Sequence, residues 1–276
     1  MSSLRIVGNL WTLEGHPNLS QPWSLEQKLR AIANAGFDDV TGDINETTAE
    51  LARQLGLGCV GWFLATDMES ITSSVARFKS LGVVYVTVFL GKHDTSAAEA
   101  AALSLQLAEA GDKAGLHLAI ETHRDTGTET PEKTAVLLAA YRAHSGRELP
   151  VTWDFSHHAL IKHLMPADWP TRLLTERANV AAAELFHFRP FNAHHAQIPV
   201  RVDGQRTPEY DDFMEFVGQV MQLWRADPAN ADRTMRACPE VGPISSGYGL
   251  SHEPEPWSQA ITLAADLKAT WRNTQP

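Results

Sequence analysis

Short apolar runs alternate with longer helical patterns along the whole of this 276-residue chain. The alternation occurs eight times, and each run with the helix that follows it takes about 34 residues, close to the usual unit of an α/β barrel. Continuous apolar runs such as residues 83–90 are typical of strands that are covered on both faces. The pattern therefore predicts a single (β/α)8 barrel domain over residues 1–276. An open doubly wound sheet is the alternative, because alternation alone does not show that a sheet closes.

The predicted elements follow from apolar periodicity and from helix start and stop signals. Ser24 is a predicted N-cap with Gln27 in the first turn, and Gly36 lies just past the same helix. Thr130 and Pro131 form a similar start. Strands are predicted at residues 4–11, 39–44, 59–64, 83–90, 116–121, 151–154, 185–188 and 235–240. Helices are predicted at residues 24–34, 46–55, 68–80, 96–114, from 130 onward, 168–183, 209–225 and 257–271, and residues 189–208 are predicted to form a loop over the site.

Residues 56–61 match the pattern G-x-G-x-x-G. A dinucleotide-binding fingerprint follows a strand and opens a helix. These residues instead end a predicted helix and open a predicted strand. They are therefore interpreted as a helix end and a turn.

Predicted strands five to eight end in side chains that bind metal ions. They are Glu121, Asp154, His187 and Glu240. Glu121 and Asp154 are 33 residues apart, and so are Asp154 and His187. Because side chains alternate between the barrel interior and the helix layer, all four can point into the mouth of a barrel. Three carboxylates and one imidazole suit one divalent cation, with Mn²⁺, Mg²⁺ or Co²⁺ favoured and Zn²⁺ also compatible. The alternative is three solvated strand-end carboxylates and one histidine that packs in the core.

Five short motifs occur in order in the second half of the chain. They are Glu-Thr-His-Arg-Asp at 121–125, Thr-Pro-Glu-Lys at 130–133, Asp-Phe-Ser-His-His at 154–158, His-Phe-Arg at 187–189 and Pro-Glu-Val-Gly-Pro at 239–243. This series resembles the xylose-isomerase-like barrel superfamily, which contains sugar isomerases, ketose 3-epimerases and abasic-site endonucleases. The resemblance covers about residues 116–248, whereas the first half shares only the strand–helix rhythm.

The resemblance implies roles for individual residues. It implies that the cation is bound by Glu121, Asp154, His187 and Glu240, with Glu121 and Glu240 also acting as base and acid. It further implies that His157 and Arg189 contact the substrate or order the residues around the metal. His123, two residues after Glu121 and on the same strand face, is a further candidate for substrate binding.

The activity that the resemblance implies is a divalent-metal-dependent sugar isomerase or epimerase. A proton on carbon next to a carbonyl is too weakly acidic for an unaided carboxylate. A divalent ion on the carbonyl stabilises the enediolate, while two carboxylates serve as base and acid. Ketose 3-epimerases carry a second Glu six residues after the strand-five Glu, where this chain has Gly127. The chain departs from their pattern at this position.

Three other functions compete with this one. A metal-dependent hydrolase or dehydratase acting on a carbohydrate or cyclitol could use the same site, and a degenerate barrel could simply bind a sugar or metal. Abasic-site endonucleases need further metal ligands, including Asp-x-His after the strand-seven His. Here His194 and His195 follow His187, and neither has an Asp two residues before it. The net charge of −10 also disfavours a nucleic-acid partner.

Composition and the chain start give the remaining expectations. With 43% hydrophobic and 20% charged residues the chain is typical of globular proteins. The two cysteines lie inside predicted strands, which favours a reducing cytoplasm over a disulfide framework. The sequence has no apolar leader and no long apolar stretch, so a cytoplasmic enzyme without a membrane partner is expected. The expected partner is a small-molecule sugar or polyol, and a homo-oligomer is compatible with the sequence. Trp11, Trp62 and Phe63 could form an apolar wall for a sugar ring, with core packing as the alternative.

Overall fold

The computed structural model describes residues 1–250 and 253–274. Within these residues eight parallel strands form one sheet, in which neighbours in space are neighbours along the chain, and β1 also pairs with β8. The strands are β1 Ser3–Asn9, β2 Asp39–Thr41, β3 Gly58–Ala65, β4 Tyr85–Leu90, β5 Leu118–Glu121, β6 Val151–Thr152, β7 Leu185–His187 and β8 Thr234–Cys238.

The sheet closes between β6 and β7 through Trp153, a residue outside both strands. Trp153 forms a parallel bridge with Phe186. Its N–H donates to the carbonyl of Leu185 at 3.2 Å, and its own carbonyl accepts from the N–H of His187 at 2.9 Å. The (β/α)8 barrel prediction is therefore confirmed, and the open doubly wound alternative is wrong.

Helices follow the strands on the outside, and several begin at the predicted caps. Ser24 accepts from the N–H of Gln27, and Thr130 accepts from that of Lys133. The helices are α1 Leu25–Asn34, α2 Glu46–Gln54, α3 Met68–Ser80, α4 Ala97–Ala114, α5 Pro131–Ser145, α6 Phe155–Ile161, α7 Trp169–Arg172, α8 Arg177–Ala182, α9 Pro208–Ala226 and α10 Pro256–Asn273. None of these described helices has the length and apolarity needed to cross a bilayer.

Several element boundaries differ from the sequence prediction, and three differences are the most important. The first strand ends at Asn9 instead of residue 11, because the Asn9 side chain accepts from the N–H of Trp11 and starts a 3₁₀ turn. Asp154 is not a strand residue but the N-cap of α6, a helix that the sequence pattern did not predict. The helix predicted at 168–183 is interrupted by a turn at residues 173–176 and forms α7 and α8.

The glycine pattern at 56–61 lies between α2 and β3, as predicted. Gly56 follows the end of α2 with a φ of +74°, which glycine adopts without strain. Gly58 is the first residue of β3. The segment is therefore a helix end and a turn and not the start of a helix.

The interior of the barrel is filled at its middle and closed at the amino ends of the strands. The buried layer in the middle consists of Val7, Val60, Tyr85, Ala119, Leu185 and Cys238. Below it the Asp39 carboxylate accepts from Arg5 at 2.7 and 2.9 Å and from Arg236 at 3.3 Å. Because the amino end is closed by these ion pairs, a ligand can approach the interior only from the carboxyl ends of the strands.

Candidate active site and metal centre

A cavity of about 650 Å³ opens at the carboxyl ends of the strands. Its wall includes Trp11, Trp62, Phe89 and Tyr248, and Trp62 remains 45% exposed. Two of the three aromatic residues weighed for an apolar wall thus line the cavity. The third, Phe63, is buried against Phe78 in the helix layer. The cavity volume lies within the range of small-molecule sites.

The four predicted metal ligands converge in one cluster, and three of them, Glu121, His187 and Glu240, line the floor of this cavity. Glu121, Asp154, His187 and Glu240 each offer one ligand atom, and these atoms all lie within 4.8 Å of one another. His187 Nδ1 is 3.1 Å from Glu121 Oε1 and 3.3 Å from Glu240 Oε2. All four side chains are at most 8% exposed. The barrel thus gathers residues that are more than 30 positions apart in the chain into one cluster.

Two unpartnered atoms in this cluster fit a cation. Glu121 Oε2 and His187 Nε2 are buried, and neither has a hydrogen-bond partner among the described residues. Buried polar atoms are normally paired, so atoms without a partner mark a place where a ligand or ion belongs. Three carboxylates with one imidazole are a donor set for a hard or borderline divalent ion. The residues present therefore fit a divalent cation.

Arg189 balances the negative charge of the cluster. Its Nη2 donates to Glu240 Oε2 at 2.8 Å and to Asp154 Oδ2 at 3.3 Å, and the side chain is 3% exposed. Burial alone would raise the pKa of Glu240, but the charges of Arg189 and His187 lower this pKa to about 2. Burial would likewise lower the pKa of His187, but Glu121 and Glu240 raise it well above its ordinary value. Glu240 is therefore a carboxylate throughout the neutral range.

Residues after β5 hold Glu121 and Asp154 in place. The Thr128 hydroxyl donates to the carbonyl of Glu121 at 2.6 Å. The Thr122 hydroxyl donates to the carbonyl of Asp154 at 3.0 Å and accepts from its N–H at 2.9 Å. These hydroxyls cross-link the ends of β5 and β6. They fix the backbone on which the two carboxylates stand.

No protein-family model and no curated protein sequence matches this chain. Solved structures do match over nearly the full length. A xylose isomerase-like TIM barrel protein from Mycobacterium smegmatis in complex with magnesium aligns with a TM-score of 0.61 and 12% identity, over 98% of each chain. D-allulose 3-epimerase from Methylomonas sp. aligns with a TM-score of 0.58 and 15% identity, over 99% of this chain and 98% of that one.

A probable 3-DHS dehydratase of petrobactin synthesis from Bacillus anthracis aligns equally well, with a TM-score of 0.58 and 15% identity over 96% of this chain and 99% of that one. Other neighbours include further sugar epimerases and isomerases and an AP endonuclease. The chain has the (β/α)8 barrel fold of these proteins. The fold that the resemblance of the sequence motifs implied is thereby confirmed. At identities of 15% or less, the matches establish this fold and not a reaction.

Two of the three predicted substrate contacts line the cavity of this barrel, and the third does not. His123 and Arg189 face the cavity. His157 is fully buried beneath His123, with 4.2 Å between the ring centroids, and its Nε2 lies 3.4 Å from Asp154 Oδ2. Burial lowers the pKa of His157 well below its ordinary value, and His123 and Arg189 add to this effect. His157 is therefore a neutral ring, and in this arrangement it is screened from the cavity.

Asn9 and Gln197 support the site in ways that the sequence analysis missed. Asn9 Nδ2 donates to Glu240 Oε1 at 3.0 Å. Gln197, in the segment predicted as a loop, is buried and exchanges hydrogen bonds of 3.1 and 2.6 Å with the backbone of Gly242. The available signal for Asn9 was an amide near the carboxyl end of the first predicted strand. No comparable signal pointed to Gln197, because its partner is a backbone group 45 residues away.

Replacing Asn9 by Ser will weaken the binding of Mn²⁺ by about 10–100-fold, the usual loss when a group that orients a metal ligand is removed. A serine side chain can still cap the 3₁₀ turn, as the side-chain oxygen Oδ1 of Asn9 does, but it is too short to hold Glu240. Calorimetric titration of the purified variant measures the affinity. Asn18→Ser is the matched control, because Asn18 also caps a turn but lies on the surface. Equal affinity in the wild-type protein and Asn9→Ser would contradict this role.

Proposed function

We propose that this protein is a divalent-metal-dependent isomerase or epimerase that acts on a small sugar or polyol. The observation that carries the proposal is the convergence of Glu121, Asp154, His187 and Glu240 in one cluster, three members of which line a cavity with an aromatic wall. We further propose that the chain works as one barrel domain with a single active site, and that nucleic acid is not its substrate. The proposed roles of His123 and Arg189 in substrate binding, and of His157 in ordering the residues around the metal, belong to the same proposal.

The structural neighbours support this proposal through what their names state. They include a D-allulose 3-epimerase, a D-tagatose 3-epimerase-like protein, a 3-keto-D-glucoside 4-epimerase and a sugar phosphate isomerase/epimerase. One neighbour was solved with magnesium. The same fold thus occurs in several proteins that are named as sugar epimerases or isomerases, and this chain has a cluster that could hold a cation at the mouth of that fold.

The four clustered side chains would hold the cation. When bound, a divalent ion stabilises the negative charge that develops when a carbonyl compound loses an adjacent proton. Glu121 is suited to be the base, because its Oε2 has no hydrogen-bond partner among the described residues. Glu240 has both oxygens engaged, one by Asn9 and the other by Arg189, so it is held at a fixed position beside the reacting carbon.

The proton transfers require two events. Glu121 removes the proton from the carbon next to the carbonyl, and the electron pair of the C–H bond passes into the enediolate. Between the two transfers Glu240 takes up a proton from solvent through the open mouth of the cavity, and Glu121 releases the proton that it removed. Glu240 then donates its proton to a carbon of the enediolate as the proposed acid and becomes a carboxylate again. Donation to the opposite face of the same carbon gives an epimer, and donation to the neighbouring carbon gives an aldose–ketose isomer.

The cavity wall explains why a sugar-sized molecule is the proposed substrate. Trp11 and Tyr248 pack edge to face with 5.3 Å between ring centroids, and the Arg189 guanidinium lies 4.4 Å from the Tyr248 ring centre. Aromatic faces pack against the C–H face of a sugar ring, while the polar floor contacts its oxygens. An aromatic wall opposite a charged floor therefore suits a molecule with one apolar face and several hydroxyl groups.

A dehydratase is the second candidate, and Gly127 is the observation that favours it. The N–H of Gly127 donates to the carbonyl of Leu90 at 2.8 Å, and a Cβ at this position would lie 3.1 Å from that carbonyl oxygen. The loop therefore has little room for the second Glu of ketose 3-epimerases. One structural neighbour is named a probable dehydratase. Dehydration begins with the same proton abstraction, but a C–O bond then breaks and water leaves.

Proton exchange with D₂O tests the proposal. The protein is incubated with Mn²⁺ and a panel of free sugars, sugar acids and cyclitols, and the products are followed by mass spectrometry and NMR. We expect one substrate class to gain a single deuterium next to its carbonyl. Products of unchanged formula indicate isomerisation or epimerisation, and products that lack one water indicate dehydration. If no compound exchanges or reacts, the proposed proton-transfer chemistry is wrong.

An abasic-DNA cleavage assay in parallel tests the repair alternative, which one neighbour's name raises. We expect no cleavage. His194, one of the two histidines between His187 and Glu240, lies on the surface beside His163 with 3.4 Å between their Nδ1 atoms. It does not join the cluster at the cavity floor. Metal-dependent nicking of abasic DNA would overturn the proposed substrate class.

A further inference from the structure

We infer that Glu121, His123 and His157 form a second divalent-cation site beside the first. Each of the three side chains offers one ligand atom, and these atoms lie within 4.8 Å of one another. The inference depends on the metal centre proposed above through one residue only, because the two sites would share Glu121. It is independent of the proposed sugar chemistry.

The two carboxylate oxygens of Glu121 have different surroundings. Oε1 lies 3.1 Å from His187 Nδ1, on the side of the first site. Oε2 is buried and has no hydrogen-bond partner among the described residues. A carboxylate can bridge two cations with one oxygen on each. With Oε1 on the side of the first ion, the unpartnered Oε2 is available to a second ion, and because a carboxylate oxygen has two lone pairs it can also accept the substrate proton.

The His123 ring is fixed in the form that can bind a metal. Its Nδ1 lies 2.6 Å from the carbonyl oxygen of Arg124. A carbonyl oxygen only accepts hydrogen bonds, so Nδ1 must carry the proton, and in the neutral ring Nε2 then carries the lone pair. Metal-binding histidines are commonly held in this way, with one ring nitrogen donating to a backbone carbonyl and the other bound to the ion.

His157 is the observation that points most directly to a ligand. Its side chain is fully buried, and neither ring nitrogen has a hydrogen-bond partner in the described part of the chain. The nearest carboxylate oxygen, Asp154 Oδ2, is 3.4 Å from Nε2 and does not form a hydrogen bond with it. A buried imidazole usually has at least one partner. A cation between His123, His157 and Glu121 would supply it.

The donor types distinguish the second site from the first. Two imidazoles and one carboxylate are the ligands of many catalytic zinc sites, which leave a further position open. The same set suits Co²⁺ and Fe²⁺, whereas Mg²⁺ prefers oxygen ligands. The second site should therefore take Zn²⁺ or Co²⁺ and reject Mg²⁺. His123 lines the cavity, so the open position of this ion would face the substrate.

Metal counting on the full-length protein tests the inference without any activity measurement. Calorimetric titration and elemental analysis after desalting should give two Co²⁺ ions per chain but one Mg²⁺. His123→Asn and His157→Asn should each reduce the count of Co²⁺ to one. Asp154→Asn should keep one Co²⁺, which is bound at the second site. The double variant that combines Asp154→Asn with His123→Asn should lose this ion as well. The Co²⁺ absorption spectrum should lose one of its two components in the His123 variant.

His163→Asn is the matched control, because His163 and His194 form an exposed histidine pair that could attract Co²⁺. The control should still bind two ions. If its count falls, the extra ion belongs to the surface and the inference is wrong. One Co²⁺ in both wild type and His123→Asn overturns the second site and leaves the first in place. No bound Co²⁺ in the wild-type protein overturns both. Because His123 is only partly buried, its variant remains testable if His157→Asn does not fold.

Discussion

Replacing Glu121 by Gln will lower the rate of solvent-proton exchange into the substrate by about 10²–10⁴-fold, the usual contribution of a general base. The amide has nearly the same shape as the carboxylate, but it cannot accept the proton. Glu121 lines the cavity, and its Oε2 has no hydrogen-bond partner among the described residues, so this oxygen can accept the proton. Exchange is measured by NMR in D₂O with saturating Mn²⁺.

Glu109→Gln is the control for this substitution, because Glu109 is exposed on α4 and pairs only with Lys113. The control should exchange at the wild-type rate. Cation affinity is measured for both variants, since Glu121 is also a proposed ligand and weaker metal binding would mimic loss of the base. An exchange rate in Glu121→Gln equal to that of the wild type, at full metal occupancy, would assign the base to another residue.

Removing divalent cations with a chelator will abolish exchange, and adding Mn²⁺ will restore it. The cation should also stabilise the fold, because three buried carboxylates converge at the cluster and repel one another. An ion at 100 times its dissociation constant adds about 2.7 kcal/mol to the free energy of unfolding. For a domain of this size, that gain raises the melting temperature by roughly 5–10 °C. Thermal unfolding followed by circular dichroism measures the shift.

Asp154→Asn should lose most of this cation-dependent shift, because one of the four ligands of the cluster becomes a neutral amide. Asp94→Asn is the control, since Asp94 is exposed in the loop after β4 and should respond to Mn²⁺ as the wild type does. If the protein keeps both its melting temperature and its exchange rate after chelation, the proposed function does not depend on a metal.

Local sequence signals predicted the elements because the physics of each signal is local. Ser24 forms a capping box with Gln27, a group only three residues away, and the sequence alone indicated it. Apolar periodicity likewise reports which face of an element is covered. It failed at residues 168–183, where a continuous helix was predicted and a turn at residues 173–176 separates α7 from α8.

The candidate ligands were predictable because side chains alternate along strands and parallel strands end at one edge. These two rules place Glu121 and Glu240 at one mouth, although 119 positions separate them. The rules carry no information about hydrogen-bond partners. The bond from Asn9 to Glu240 spans 231 positions, and that from Gln197 to Gly242 spans 45. Such pairs depend on side-chain geometry that periodicity does not encode.

By itself the sequence determined the barrel class, most of its strands and helices, and the four side chains at the mouth. Each of these follows from short-range pattern and from the fixed period of a strand. Only the tertiary structure decided that the sheet closes through Trp153, that His157 is sealed beneath His123, and which oxygen of Glu121 is free. These features depend on distances between distant segments. Such distances are set when the whole core packs, and no local stretch of sequence specifies them.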